Sequence, residues 1–125
     1  MMKSLIAATL LALPLGALAQ PAPLAARTQV EIDHLFTYIA ASGCKFNRNG
    51  SWHDMAEASE HVHVKYDWLR GRDMIDSAET FIDKAASRSS LSGSDYMVQC
   101  PGSAAVPTSG WLKTELTRFR ASRKE

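Results

Sequence analysis

Apolar residues recur at helical spacing in four stretches of the chain, and one short stretch alternates instead. In Ser51–Arg70 (SWHDMAEASEHVHVKYDWLR), the residues Trp52, Met55, Ser59 with Ala58, Val62, Tyr66 and Leu69 fall on one helical stripe. Val64 and Trp68 lie four apart on nearly the opposite side. A helix that is apolar on one side coats a core. Two strips therefore predict a central helix sandwiched between partners, with the rest of the chain packed around it. Only Gly50 and Gly71 bound this segment and no Pro interrupts it. Ser51 is the expected N-cap, with Asp54 placed favourably for the helix dipole.

The other elements follow from the same patterning. Thr28-Gln29-Val30-Glu31 fits a capping box and opens a helix that buries Ile32, Leu35, Phe36 and Ile39 and ends at Gly43. Cys44-Lys45-Phe46 reads as a short strand. Arg48-Asn49-Gly50 reads as a tight reversal, because Asn-Gly tolerates positive φ. Asp76, in the cap role with Glu79 three residues on, starts a third helix to about Ser87, burying Ile75, Ala78, Phe81, Ile82 and Ala85. Ser87–Ser94 is a polar loop with one apolar residue, Leu91. Alternation over Asp95–Cys100 puts Tyr96, Val98 and Cys100 on one face of a strand, with Met97 and Gln99 on the other. Pro101–Ser109 reads as loop. A fourth helix starts near Ser109 with Trp111, Leu112, Leu116 and Phe119 as its apolar positions. Its last turns hold Arg118, Arg120, Arg123 and Lys124, which complement the negative helix end. The expected fold is mainly α: about four helices with a small two-stranded β ribbon.

The first nineteen residues change the picture. A basic start at Lys3, the apolar run Leu5–Leu13, Pro14 and Gly16, and the small-x-small Ala17-Leu18-Ala19 have the form of a signal peptide cleaved near Ala19. The run is too short to span a bilayer core of about 30 Å. Gln20–Arg27 is then an extended lead-in, and residues 28–125 form a single helical domain. The chain has 14 Lys and Arg against 13 Asp and Glu, so loss of Lys3 leaves the two balanced. That balance argues against a nucleic-acid partner. No later segment is apolar enough for a transmembrane span. In an exported chain, Cys44 and Cys100 are expected to form a disulfide. The loop it closes, about 57 residues, corresponds to about 4 kcal/mol in the chain-entropy model. The same bridge would lay Cys44–Phe46 beside Asp95–Cys100 and pin the ribbon.

Candidate chemistry is sparse. His34, His53, His61 and His63 lack the spacing of three or four that lets two helical side chains converge on a metal. His61 and His63, two apart, diverge by about 200°. No metal and no cofactor are therefore expected. Neither a Gly-x-Ser-x-Gly elbow nor a Ser-x-x-Lys motif occurs, and serines in loops commonly bond the local backbone. What remains is a polar, cationic surface. His61 and Lys65 share one side of the central helix, Arg48 and Asn49 sit on the turn before it, and Ser90, Ser92 and Tyr96 come from the serine loop and the strand that follows.

Several short motifs occur in order: Cys44-x-Phe46-x-Arg48-Asn49-Gly50, Ala58-x-x-His61-Val62-x-x-Lys65, Phe81-Ile82-x-x-Ala85 and Ser89-Ser90-x-Ser92-Gly93-x-x-Tyr96. In these the chain resembles the YfeK-like family of small exported bacterial proteins, a domain of unknown function. The resemblance runs from the first helix to Trp111-Leu112. It implies export to the periplasm, a single small domain and no known cofactor, and it supplies no catalytic residues. The expected function is a non-enzymatic binding or interaction module of the bacterial envelope, its partner an envelope protein or a small anionic ligand. One alternative is a small hydrolase or transferase with Ser90 or Ser92 as nucleophile and His61 as base. Another is an inhibitor of an envelope hydrolase such as lysozyme, since Ser92-Gly93-x-x-Tyr96 resembles the loop motif of periplasmic lysozyme inhibitors, which are β-barrels.

Overall fold

A computed structural model describes Ser4, residues 7–12 and residues 22–123. The expected cleavage site at Ala19, the new start at Gln20, and Lys124 lie outside the described residues. In chain order the elements are α1 (Ala26–Ala41), β1 (Lys45–Arg48), β2 (Ser51–His53), α2 (Met55–Arg70), α3 (Ala78–Ala85), β3 (Met97–Gln99), β4 (Val106–Pro107) and α4 (Thr108–Ser122).

The four helices are as expected, but the ribbon is wider. The strands form one antiparallel sheet in the order β2-β1-β3-β4, four strands rather than two. Its centre is the expected pair. Phe46 faces Val98 across β1 and β3, and the Cys44–Cys100 disulfide joins the chain just outside them. The two outer strands come from turn chemistry. Asn49 and Gly50 both take positive φ, 54° and 83°, the geometry of a two-residue hairpin loop whose twist suits the strands it joins. The chain therefore returns along β1, and Ser51 pairs with Arg48 instead of capping a helix. The cap role passes to Asp54, whose carboxylate accepts a hydrogen bond from the Glu57 N–H at 2.8 Å. On the other edge Val98 pairs with Val106, so the end of the expected Pro101–Ser109 loop is a two-residue strand running straight into α4.

The sandwiched central helix is the larger correction. Val64 and Trp68 are 63% and 54% exposed. α2 is an outer helix that buries Val62 and Leu69, with Met55, Ala58 and Tyr66 packed against the same core. The second strip faces outward, and the Arg72 guanidinium lies 3.8 Å from the Trp68 ring centroid, a cation–π cover for an exposed indole. The short α3, like α1, instead contacts all three of the other helices. Its Ala78, Phe81, Ile82 and Ala85 are fully buried. The cap of α3 falls one residue later than expected: the Ser77 hydroxyl accepts from the Thr80 N–H, while Asp76 accepts from the Thr80 hydroxyl.

α1 begins at Ala26, two residues before the expected Thr28, with no side-chain cap bond. It is anchored to the far end of the chain. Arg120 on α4 donates to both carboxylate oxygens of the buried Glu31, at 2.6 and 3.0 Å, and also to Glu79 on α3. That hydrogen bond holds the Glu79 carboxyl below its ordinary pKa. Arg120 therefore joins three helices, a role beyond the dipole complement that its position near a helix end predicts.

Candidate functional site

The candidate residues are positioned by three elements. His61 and Lys65 stand one helical turn apart on α2, Arg48 closes β1, and Tyr96 precedes β3. Tyr96 is locked by its backbone: its N–H donates to the Ser87 carbonyl and its carbonyl accepts from the Thr108 N–H, both at 2.9 Å. Its side chain, 6% exposed, reaches α2.

Arg48, His61, Lys65 and Tyr96 form one hydrogen-bonded cluster. An Arg48 Nη1–H points at His61 Nδ1. Because a guanidinium can only donate, Nδ1 must accept. That fixes the neutral tautomer, and Nε2–H donates to the Tyr96 hydroxyl oxygen at 3.1 Å. Lys65 Nζ donates to the same oxygen at 3.2 Å and to the Arg88 carbonyl at 2.9 Å. It also lies 5.0 Å from the Tyr96 ring centroid. A phenol oxygen has two acceptor positions. With both taken, the Tyr96 O–H is left to donate elsewhere.

The electrostatics follow from partial burial beside two fixed cations. Burial first, then Arg48, Lys65 and His53, hold His61 below its ordinary pKa. Burial and then Arg48 lower that of Lys65. Burial raises that of Tyr96, against an opposing pull from Arg48. His61 thus resists protonation in the folded chain but not in the unfolded one, which takes up its proton near about pH 6.5. Between that pH and the lower folded value, the unfolded state binds more protons, so stability falls as pH drops. A His61→Gln variant should lose less stability than wild type between pH 7 and pH 5 in urea titrations. Parallel losses in the two proteins would remove His61 as the source.

Behind the cluster lies a cleft of about 110 Å³. Ile39, Phe46, Ala58, Val62 and Ala86 make its apolar walls. Arg48, His61, Tyr96 and Thr108 add polar groups, with Asn47 and a His53–Glu57 pair at 2.8 Å also on the lining. Among the described residues, Thr108 Oγ1 is one of two buried side-chain polar atoms without a hydrogen-bond partner. Thr108 and Ala86 carried no signal in the sequence, and Ile39, Phe46, Ala58 and Val62 were legible only as core or strand positions, because the cleft draws on α1, β1, α2 and the start of α4, far apart along the chain.

The serine loop is placed differently. The Ser92 hydroxyl donates to Asn49 Oδ1 at 2.6 Å, tying the loop to the hairpin turn. Ser89 Oγ accepts from the Leu91 and Ser92 amides, and the Ser87 hydroxyl donates to the Ile82 carbonyl. These hydroxyls close the local backbone. Ser90 is exposed and has no hydrogen bond to His61, whose two ring nitrogens face Arg48 and Tyr96. The Ser/His pairing of the hydrolase alternative is therefore not assembled. Ser92–Asp95 is exposed while Tyr96 is turned inward, so the five-residue motif does not present its tyrosine outward. The remaining histidines serve separately: His63 stacks on Phe36 at 3.6 Å, and His34 on Phe119 at 3.9 Å. Among the described residues no group of three or more His, Cys, Asp or Glu could hold a metal ion.

Residues 26–120 match the model of a family described as a family of unknown function (DUF5329). Among curated proteins the chain is similar to the uncharacterized protein YfeK of Salmonella typhimurium strain LT2, with 49% identity over 51 residues. That match covers 41% of this chain and 41% of the relative's own length. No solved structure matches. The family match takes in every element from α1 to most of α4 and all the residues that line the cleft. The chain therefore belongs to this YfeK-like family of unknown function.

Proposed function

We propose that this protein is an exported binding domain of the bacterial envelope that holds a small anionic ligand in the cleft behind Arg48 without transforming it. One observation carries the reading: Arg48 lines an apolar cleft together with His61 and Tyr96, and Lys65 is tied to that group through the Tyr96 hydroxyl. An Arg fork suits a carboxylate, and apolar walls with a few placed polar groups are the usual make-up of a small-molecule site. Only Nη1 of Arg48 is engaged with His61, which leaves donors for a ligand. Tyr96 contributes a further free O–H.

Export is supported by the form of residues 1–19, by the disulfide and by the fact that no helix among the described residues is long and apolar enough to cross a membrane. Sequencing the N-terminus of the protein recovered from the periplasm should begin at Gln20. For the cleft, NMR titration with short-chain carboxylates should shift the signals of Phe46, His61 and Tyr96. A charge-assisted hydrogen bond is worth about 1.5–3 kcal/mol, so Arg48→Gln should weaken that binding about tenfold or more. If these acids leave the cleft signals unmoved, or if Arg48→Gln binds as well as wild type, the reading is wrong.

A further inference from the structure

A buried hydroxyl without a partner is costly, and such groups in native proteins call for an explanation. Thr108 is 4% exposed, its Oγ1 has no hydrogen-bond partner, and it lines the cleft whose other polar groups are Asn47, Arg48, His53, Glu57, His61 and Tyr96. Thr108 is the first residue of α4, and its backbone N–H is already held by the Tyr96 carbonyl. Its hydroxyl makes no capping hydrogen bond. Nor does it pack as a purely apolar residue would, since a valine of the same shape would fill the position without stranding a hydroxyl.

Resting on the reading that the cleft takes a small anion, we infer that Thr108 is the specificity-determining residue of that site. It selects a short-chain monocarboxylate carrying a hydrogen-bonding group at the end remote from its carboxylate. The carboxylate lies against Arg48 and the Tyr96 O–H, the carbon chain runs along Phe46, Val62 and Ala86, and the remote hydroxyl pairs with Thr108 Oγ1. Size agrees with this class. A single water needs roughly 10–15 Å³ on this kind of measure, so about 110 Å³ accepts a handful of heavy atoms. The apolar walls argue against a dianion such as inorganic phosphate, whose second charge would find no partner there.

The logic of discrimination is asymmetric. A site built to hydrogen-bond a substrate hydroxyl strongly rejects the analogue that lacks it, because the buried protein group stays unpaired. The test uses matched acids of three to five carbons, each with and without an ω-hydroxyl, titrated calorimetrically into wild type, Thr108→Val and Thr108→Ser. Wild type should bind at least one hydroxy acid about tenfold or more tightly than its plain counterpart. Thr108→Val should abolish the preference, binding the plain acid at least as tightly as wild type does and the hydroxy acid no better than the plain one, and Thr108→Ser should keep it. The ligand-free Thr108→Val protein should melt at the same temperature as wild type or higher, because it loses an unpaired group; a marked drop would assign the hydroxyl a structural role and overturn the inference. Arg48-dependent binding of plain and hydroxylated acids alike, or a preference that survives in Thr108→Val, overturns the role of Thr108 and leaves the anion site standing. Binding of inorganic phosphate in place of either acid overturns the inference and leaves the anion site standing; binding of none of these anions overturns both.

Discussion

Replacing Phe81 by Ala should destabilise the protein by about 3–5 kcal/mol, the usual cost of emptying a large aromatic site in a core. Phe81 is fully buried and is the largest side chain with no exposure among the described residues. Its ring meets Phe36 of α1 at 5.0 Å between centroids and Tyr66 of α2 at 5.6 Å. Phe36 in turn stacks on His63. One substitution on the shortest helix therefore removes contacts to two others, and the site cannot collapse around the gap without moving all three. For a domain of this size each 1 kcal/mol corresponds to about 4–8 °C in melting temperature, so thermal unfolding followed by circular dichroism should show a fall of about 12 °C or more. Val64→Ala on the outer face of α2 is the control, expected within about 0.5 kcal/mol of wild type. A Phe81→Ala protein that melts close to wild type would mean that α3 is not the hub described here.

The second large effect is expected from the Cys44→Ser, Cys100→Ser pair. The bridge spans 56 positions, and losing a loop closure of that length costs about 4 kcal/mol in the chain-entropy model. The loss should also be local. The disulfide adjoins the Phe46–Val98 pairing of β1 and β3, and these strands lead to Arg48 on one side and Tyr96 on the other. Amide exchange at Phe46 and Val98 should accelerate more than exchange in α1, and the His61 and Tyr96 signals should broaden. Uniform acceleration across the whole chain would show that the bridge stabilises only globally and does not register the site.

The polar cluster was partly legible because its members sit in local patterns. His61 and Lys65 are one helical turn apart, and Arg48 abuts an Asn-Gly reversal. The reversal at Asn49-Gly50 was legible too, though not the strand after it. Asn-Gly dictates a two-residue turn whose partner strand must follow at once, yet the apolar Trp52 also fits a helical stripe. Three residues are too few for the two periods to separate, so Ser51–His53 reads as helix until its pairing with β1 is seen. The same ambiguity explains α2. Val64 and Trp68 carry apolar side chains at helical spacing whether they face a core or water, and exposed apolar residues are ordinary on protein surfaces. β4 is two residues long and has no pattern to read; it exists because Val98 offers it an edge.

Local rules acting over a few residues determined the helix stripes of α1, α3 and α4, the turn at Asn49-Gly50, and the leader-like form of the first nineteen residues. They also made Cys44 and Cys100 the natural pair, since no other thiol competes. Tertiary structure alone decided which helix lies inside, that two further strands join the sheet, and that Thr108 meets Arg48 across a cleft. The physical reason is range: backbone torsions and caps are set by neighbours, whereas burial and hydrogen-bond satisfaction depend on groups brought together from distant parts of the chain.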